Sequence, residues 1–183
     1  MADTKTLRDA FLDELRDAYD AEKQLLKALA KMAKTATAPE LAQAFTSHRA
    51  ETEGQIERLE QVFGILDERV RGKHCDGIAG IIEEGKAAME EDFDAATLDA
   101  CLVASGNRAE HYEMAAYGTL IAWANTLGLK DAVALLQETL DEEKAADQKL
   151  TQLAEGGLNA AAGAGDSPSG DIAKPRTKAA GRS

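Results

Sequence analysis

Phe11, Leu15, Ala18, Glu22, Leu25, Leu29 and Met32 follow one another at steps of 4, 3, 4, 3, 4 and 3. That rhythm keeps side chains on one stripe of an α-helix, here a helix A over residues ~4–35 with Thr4 or Thr6 at its start. A helix of this length gains most of its stability by burying its stripe against other helices. One member of the stripe, Glu22, is an acid. A carboxylate in an apolar seam must find something that offsets its lost hydration.

The rest of the chain repeats the problem. A turn around Pro39 opens helix B, residues ~39–67, whose stripe is Leu41, Phe45, His48, Thr52, Gln55, Leu59, Val62 and Leu66, with Glu51 on its shoulder. Helix C covers ~96–127 and stops at Leu127-Gly128-Leu129, with Gly128 at the C′ position. Helix D covers ~130–155, and its stripe Leu136, Leu140, Glu143, Asp147, Leu150 and Ala154 holds two acids. The connector between B and C, residues ~67–96, carries Gly72, Gly77, Gly80 and Gly85 and a short amphipathic helix from Ile78 to Met89. It spans about 30 residues, where a helical hairpin needs ~2–8. So long a crossover lets B and C run in the same direction, which is the ferritin-like arrangement of a four-helix bundle.

Composition agrees with an all-α chain: 183 residues, three prolines and 4% aromatics. The net charge of −12 argues against nucleic-acid binding by the body of the protein. Two cysteines, Cys75 and Cys101, make no disulfide framework and point to a reducing compartment. The first residues carry no secretory leader, and no stretch is apolar enough for a membrane span. A cytoplasmic location is expected. The domain reading is a bundle over 1–155 and a disordered Ala/Gly/Ser/Pro-rich tail over 156–183. The tail's Lys174, Arg176, Lys178 and Arg182 are read as solvated, or as a weak grip on nucleic acid or an acidic partner.

The helices also repeat. Moving helix A forward by 88 positions lays Glu22 on Glu110 and Leu25 on Glu113; moving B forward by 92 lays Glu51 on Glu143 and Gln55 on Asp147. Counted at 1.5 Å per residue from the two helical turns, the acids fall at matching depths within about one turn. Glu22, His48, Glu51, Glu110, Glu113, Glu143 and Asp147 are therefore expected in one central layer. Unpaired carboxylates in a dry core cost roughly several kcal/mol each, and they raise one another's pKa. Two divalent cations would neutralise them; a hydrated, partly protonated core without metal is the competing reading.

Leu15-Arg16-Asp17-Ala18-Tyr19-Asp20-Ala21-Glu22-Lys23-Gln24-Leu25-Leu26, His48-Arg49-Ala50-Glu51-Thr52, Lys73-His74-Cys75 with Gly80-Ile81-Ile82-Glu83-Glu84-Gly85, Glu110-His111-Tyr112-Glu113 through Leu120, and Thr139-Leu140-Asp141-Glu142-Glu143 together resemble the YciE/YciF family of bacterial stress proteins. The resemblance covers ~5–155 and implies a ferritin-like bundle, a homodimer and kinship with rubrerythrin and the di-iron carboxylate proteins. In that wider pattern Glu22 fits the first helix, and Glu110 with Glu113 reproduces the Glu-x-x-Glu of the third. The second helix has His48-x-x-Glu51 in place of Glu-x-x-His, and the fourth has Glu143 and Asp147 with no His.

The expectation is a stress-response protein holding a dinuclear Fe or Mn site, with His48 as a terminal ligand and peroxide or dioxygen as the molecule acted on. The alternative is a non-enzymatic dimeric scaffold with a vestigial site. Iron storage is a third reading, and would need a hollow shell. His111, pointing ~100° away from Glu110, is read as a helix–helix hydrogen-bonding residue. Tyr19, Tyr112 and Tyr117 are read as packing or as donors beside the site.

Overall fold

The computed structural model describes residues 4–165. Five helices dominate: α1 (Leu7–Thr35), α2 (Pro39–Ile65), α3 (Asp76–Glu90), α4 (Ala95–Thr126) and α5 (Lys130–Leu153). Thr6 caps α1 in a reciprocal capping box with Asp9. Gly128 ends α4 at φ 73°, a left-handed turn that suits glycine.

The four long helices form a ring in which α1 neighbours α2 and α4, and α5 neighbours α2 and α4. Two apolar clusters fix their directions. One gathers the start of α1 (Phe11, Leu15), the end of α2 (Val62, Phe63), the end of α4 (Leu120, Ala124) and the start of α5 (Ala132, Leu136). The other gathers the opposite ends: Leu29 and Met32, Leu41 and Phe45, Leu102 and Val103, Leu150 and Ala154. So α2 and α4 run in the same direction on one diagonal, as the long crossover requires. This is a ferritin-like four-helix bundle.

The crossover is bound to the bundle's flank. Lys73 donates its backbone N–H to the Arg16 carbonyl at 3.0 Å, and Cys75 donates its own to Asp20 at 3.0 Å. α3 then lies over the α1–α4 seam, burying Cys75 and Ile78 against Ala21, Leu25 and Ala109. Tyr112 crosses so close to α3 that a Cβ on Gly77 would come within 2.6 Å of its ring.

The turn between α1 and α2 is held from outside. Ala38, the N-cap of α2, has no side chain able to cap. Buried Asp99, one turn into α4, supplies the acceptor: it takes hydrogen bonds from the backbone N–H groups of Thr37 and Ala38, both at 2.8 Å, and from the Thr37 hydroxyl at 2.6 Å. One carboxylate thus caps a helix and ties the first hairpin to the second.

Beyond Leu153 the structure departs from the expected tail. The chain kinks at Gly157 (φ 147°) and resumes as a short helix, α6 (Asn159–Ala164), against α4. Gly156-Gly157 reads as a stop, but Leu158 packs on the Leu29–Leu150 cluster and brings the chain back. Residues 166–183, with the basic residues expected of the tail, lie outside the described residues. No described helix is long and apolar enough to cross a membrane.

Asp99→Ala leaves two backbone donors and a hydroxyl without their buried acceptor, an expected loss of about 3 kcal/mol. In thermal unfolding that corresponds to a melting temperature lower by roughly 6–12 °C.

Candidate metal centre

Between the two apolar clusters lies a polar layer. His48, Glu110, Glu113 and Glu143 are buried, and one potential ligand atom from each lies within 4.8 Å of the others. This group is able to hold a metal ion. Each member stands where its helix faces the bundle axis, flanked one or two turns away by the core residues Phe45, Gly106, Tyr117 and Leu136 or Leu150. At Gly106 a Cβ would meet the tip of the Leu150 side chain at 2.7 Å, so a larger residue there requires Leu150 to move.

Glu22 enters the same layer from α1, 1% exposed, and lies against Glu113. It accepts a hydrogen bond from the Tyr117 hydroxyl. Tyr117 therefore does more than pack: it donates into the layer, and burial beside Glu22 and Glu113 pushes its own pKa up.

His48 is oriented from outside. Its Nδ1 lies 3.0 Å from Glu51, and an ionised carboxylate can only accept, so this nitrogen carries a proton. The other nitrogen, Nε2, faces the layer at 3.3 Å from Glu110 and 3.5 Å from Glu143. Such an arrangement leaves Nε2 free as a ligand when the ring is neutral.

Glu51 and Asp147 stand apart from the four-residue group, although the level argument expected all seven together. Glu51 is three positions after His48, about 60° round the helix. The outer side of α2 faces solvent, so the Glu51 side chain is 47% exposed. Asp147 is captured on the α4–α5 seam, where Asn107 donates to it at 2.6 Å and His111 Nε2 lies 3.1 Å away. His111 thus makes the interhelical contact expected of it. Glu110 and Glu113 have the same spacing as His48 and Glu51, yet both are buried because α1 and α3 cover that side of α4.

Gln55 was read only as a member of the α2 stripe, matched to Asp147 by the repeat. It donates instead to Glu143, and at 3.1 Å to Glu142. Arg58 holds Glu142 in turn, with Nη1 at 2.9 Å, and donates to Thr139 at 2.8 Å. The polar centre of the α2 stripe was the signal; the partner depended on a helix rotation that spacing alone does not give.

Burial dominates the electrostatics. It pushes Glu22 up to about 7, with the Tyr117 hydrogen bond and the His48 charge pulling the other way. Burial likewise raises Glu113, reinforced by Glu22 and Glu143, and raises Glu143 beside Glu110 against the pull of His48. Burial alone would lower His48, but its contacts with Glu110 and Glu51 outweigh that and raise it. Two buried carboxylate oxygens, Glu22 Oε2 and Glu113 Oε1, have no donor, and two more, Glu110 Oε2 and Glu143 Oε2, meet His48 Nε2 at 3.3 and 3.5 Å.

Comparison with known proteins follows the same lines. Residues 6–163 match the family model described as Domain of unknown function (DUF892). The chain belongs to this family. Among DUF892-like relatives, protein YciF of Escherichia coli (strain K12) is 45% identical over 156 residues, which is 85% of this chain and 94% of YciF. The crystal structure of the E. coli stress protein YciF superposes with a TM-score of 0.82 at 44% identity, covering 85% of this chain and 99% of that one. YcfI of Rhodopseudomonas palustris superposes at 0.79 with 49% identity, over 82% of this chain and 96% of its own. The resemblance read from Glu110-His111-Tyr112-Glu113 and its companions therefore holds, and so does the bundle it implied.

A carboxyl whose pKa is raised on folding binds its proton more tightly in the folded state, so its stabilisation is full below the unfolded value and is lost as pH rises through the folded one. For Glu22 that window runs from 4.5 to about 7. Raised Glu113, Glu143 and His48 act in the same sense, while lowered Asp9, Asp13, Asp20 and Asp94 matter only below pH ~4. Chelator-treated protein should melt at a higher temperature at pH 5 than at pH 8. Glu22→Gln should flatten that profile; an unchanged slope would contradict the assignment.

Proposed function

We propose that this protein is a ferritin-like stress-response protein whose central layer binds a dinuclear Fe or Mn centre. The observation that carries the reading is the convergence of four buried acids, Glu22, Glu110, Glu113 and Glu143, on one layer, where Glu22 Oε2 and Glu113 Oε1 have no donor and Glu110 Oε2 and Glu143 Oε2 share the single His48 Nε2. A buried acceptor without a donor costs about 1–3 kcal/mol, and more when charged. Four acids sharing one imidazole in one buried layer fit a cationic partner. Four carboxylates are balanced by two divalent cations, which is why a pair of ions is favoured over one.

The chemistry of the donors narrows the metal. Carboxylate oxygens suit hard cations, and the one imidazole favours Mn or Fe(II) over Mg. Glu22, Glu110, Glu113, Glu143 and His48 Nε2 would hold the ions. Glu51 keeps His48 in the correct tautomer, Gln55 fixes Glu143, and Tyr117 fixes Glu22. Ions bound here would supply reversible one-electron chemistry toward peroxide or dioxygen. Around them, the two apolar clusters close the layer above and below, and Tyr117 offers a hydroxyl proton within it.

YciF is described as a stress protein, which supports the stress role; the homodimer is what the family resemblance implies, and the cytoplasmic location follows from the reducing compartment that the two cysteines point to. YcfI carries only a provisional description as a structural protein, which favours the scaffold as the second reading. Elemental analysis separates the two. Protein purified without chelator should contain about two Fe or Mn per chain, and saturating metal should raise the melting temperature. A ligand present at 100 times its Kd adds about 2.7 kcal/mol. Glu110→Ala and Glu143→Ala should each lose most of the metal. Protein that stays metal-free, with melting unmoved by added Fe(II) or Mn(II), would favour the scaffold.

A further inference from the structure

The layer is closed on most sides. Apolar clusters seal it above and below, and α3 covers the α1–α4 flank through Cys75 and Ile78, both 0% exposed. The α2–α5 flank differs. There the facing residues are small, Ala44 and Ser47 against Ala145 and Ala146, and a cavity of about 680 Å³ opens from solvent to His48 and Glu110. We propose that this opening is the route by which a divalent cation reaches the layer, with Glu51 as the residue that takes the ion from solvent. The proposal rests on the metal-binding reading above.

The side chains along the opening form a graded series of oxygens. Glu40 stands exposed on the rim, in the first turn of α2. Glu51 comes next, half exposed, its carboxylate reaching inward to the His48 ring. Behind it is Glu110, 2% exposed, which lines the cavity with its Oε2 beside His48 Nε2. Lys149 is the cation on the opposite rim. A cation entering here meets carboxylates of decreasing exposure and exchanges water for carboxylate oxygen in steps, so no single step carries the whole cost of dehydration. Acidic walls at a low-dielectric cleft also raise the local cation concentration and speed encounter.

This role accounts for Glu51 standing outside the buried group. A carboxylate that is a resident ligand belongs in the layer, whereas one that passes ions inward must reach both solvent and the layer's edge. Glu51 also orients His48, so the test must separate charge from hydrogen bonding. Glu51→Gln keeps an acceptor for His48 Nδ1 and loses the charge; Glu51→Ala loses both. Ala146→Leu narrows the opening without touching any carboxylate.

Chelator-stripped full-length protein would be mixed with Mn(II) alone, and uptake followed by loss of the free-ion EPR signal. Both Glu51 variants should load at least about tenfold more slowly than wild type, the scale of an electrostatically steered step. Glu51→Gln, which keeps the acceptor for His48, should reach the wild-type final stoichiometry, whereas Glu51→Ala should also bind more weakly. Ala146→Leu should also load slowly, to the same endpoint, with circular dichroism confirming its fold. Wild-type speed in Glu51→Gln would reduce Glu51 to a positioning residue for His48 and overturn the proposal. Wild-type speed in Ala146→Leu would overturn the route, and a lower endpoint in Glu51→Gln, which keeps the acceptor for His48, would make Glu51 a resident ligand and overturn its part in passage. Absence of Mn(II) uptake by wild type would instead remove the metal reading beneath it.

Discussion

The loss of water around four carboxylates at mid-height of the bundle is the constraint on which the rest depends. Glu22, Glu110, Glu113 and Glu143 are each at most 3% exposed, and moving an ion of this kind into a protein interior costs several kcal/mol even after relaxation. Hydrogen bonds from Tyr117 and Gln55 and contact with the His48 ring recover part of that cost. They leave Glu22 Oε2 and Glu113 Oε1 without a donor, and Glu110 Oε2 and Glu143 Oε2 sharing one imidazole. A chain that keeps such a layer carries a standing electrostatic debt in its metal-free form, visible as the raised pKa of Glu22, Glu113 and Glu143.

The architecture around the layer serves two opposed needs. The apolar clusters at either end supply the burial that lets the bundle tolerate a polar centre, and α3 adds a wall over one flank. The opposite flank, between α2 and α5, is built from alanine and serine and is open. Outside the layer, Arg58 and Glu142 stiffen Gln55, so the residues that face inward are themselves held by others. Asp99 performs the same service for the backbone, joining the α1–α2 turn to α4 across 61 and 62 positions of sequence.

Much of this was legible in the residues. A heptad seam interrupted by an acid is a strong sign because apolar neighbours fix which way the helix faces; Glu22 and Glu143 could be read that way, and so could His48 between Phe45 and Thr52. The 30-residue connector gave the direction of α4, and with it the diagonal pairing. What periodicity could not resolve was rotation finer than about 60°, the angle between residues three apart. That is the difference between Glu51, which falls toward solvent, and Glu113, which a covering helix keeps inside. Asp147 was lost for a related reason: Asn107 on the facing helix competes for it, and pairings between helices leave no trace in spacing. Asp99 was beyond reach altogether, since nothing near it in sequence shows that a turn 60 residues earlier lacks a cap. The Gly156-Gly157 pair reads as an ending because glycine usually is one there, and only the burial of Leu158 shows that the chain turns back.

The polar layer also sets axial register. In a bundle of Leu, Phe and Ala seams, one helix can slide along its neighbours by a turn, about 5.4 Å, and find nearly equivalent apolar contacts. Here a one-turn slide of α5 would carry Glu143 out of the layer and into the Phe63–Leu136 cluster or the Phe45–Leu150 cluster, away from Gln55 and His48. The same holds for Glu22 on α1 and its Tyr117 hydroxyl. A band of charge that weakens the core therefore acts as a key: it makes every misaligned packing of the four helices worse than the aligned one, and selects a single alignment from several that hydrophobic contact alone would allow.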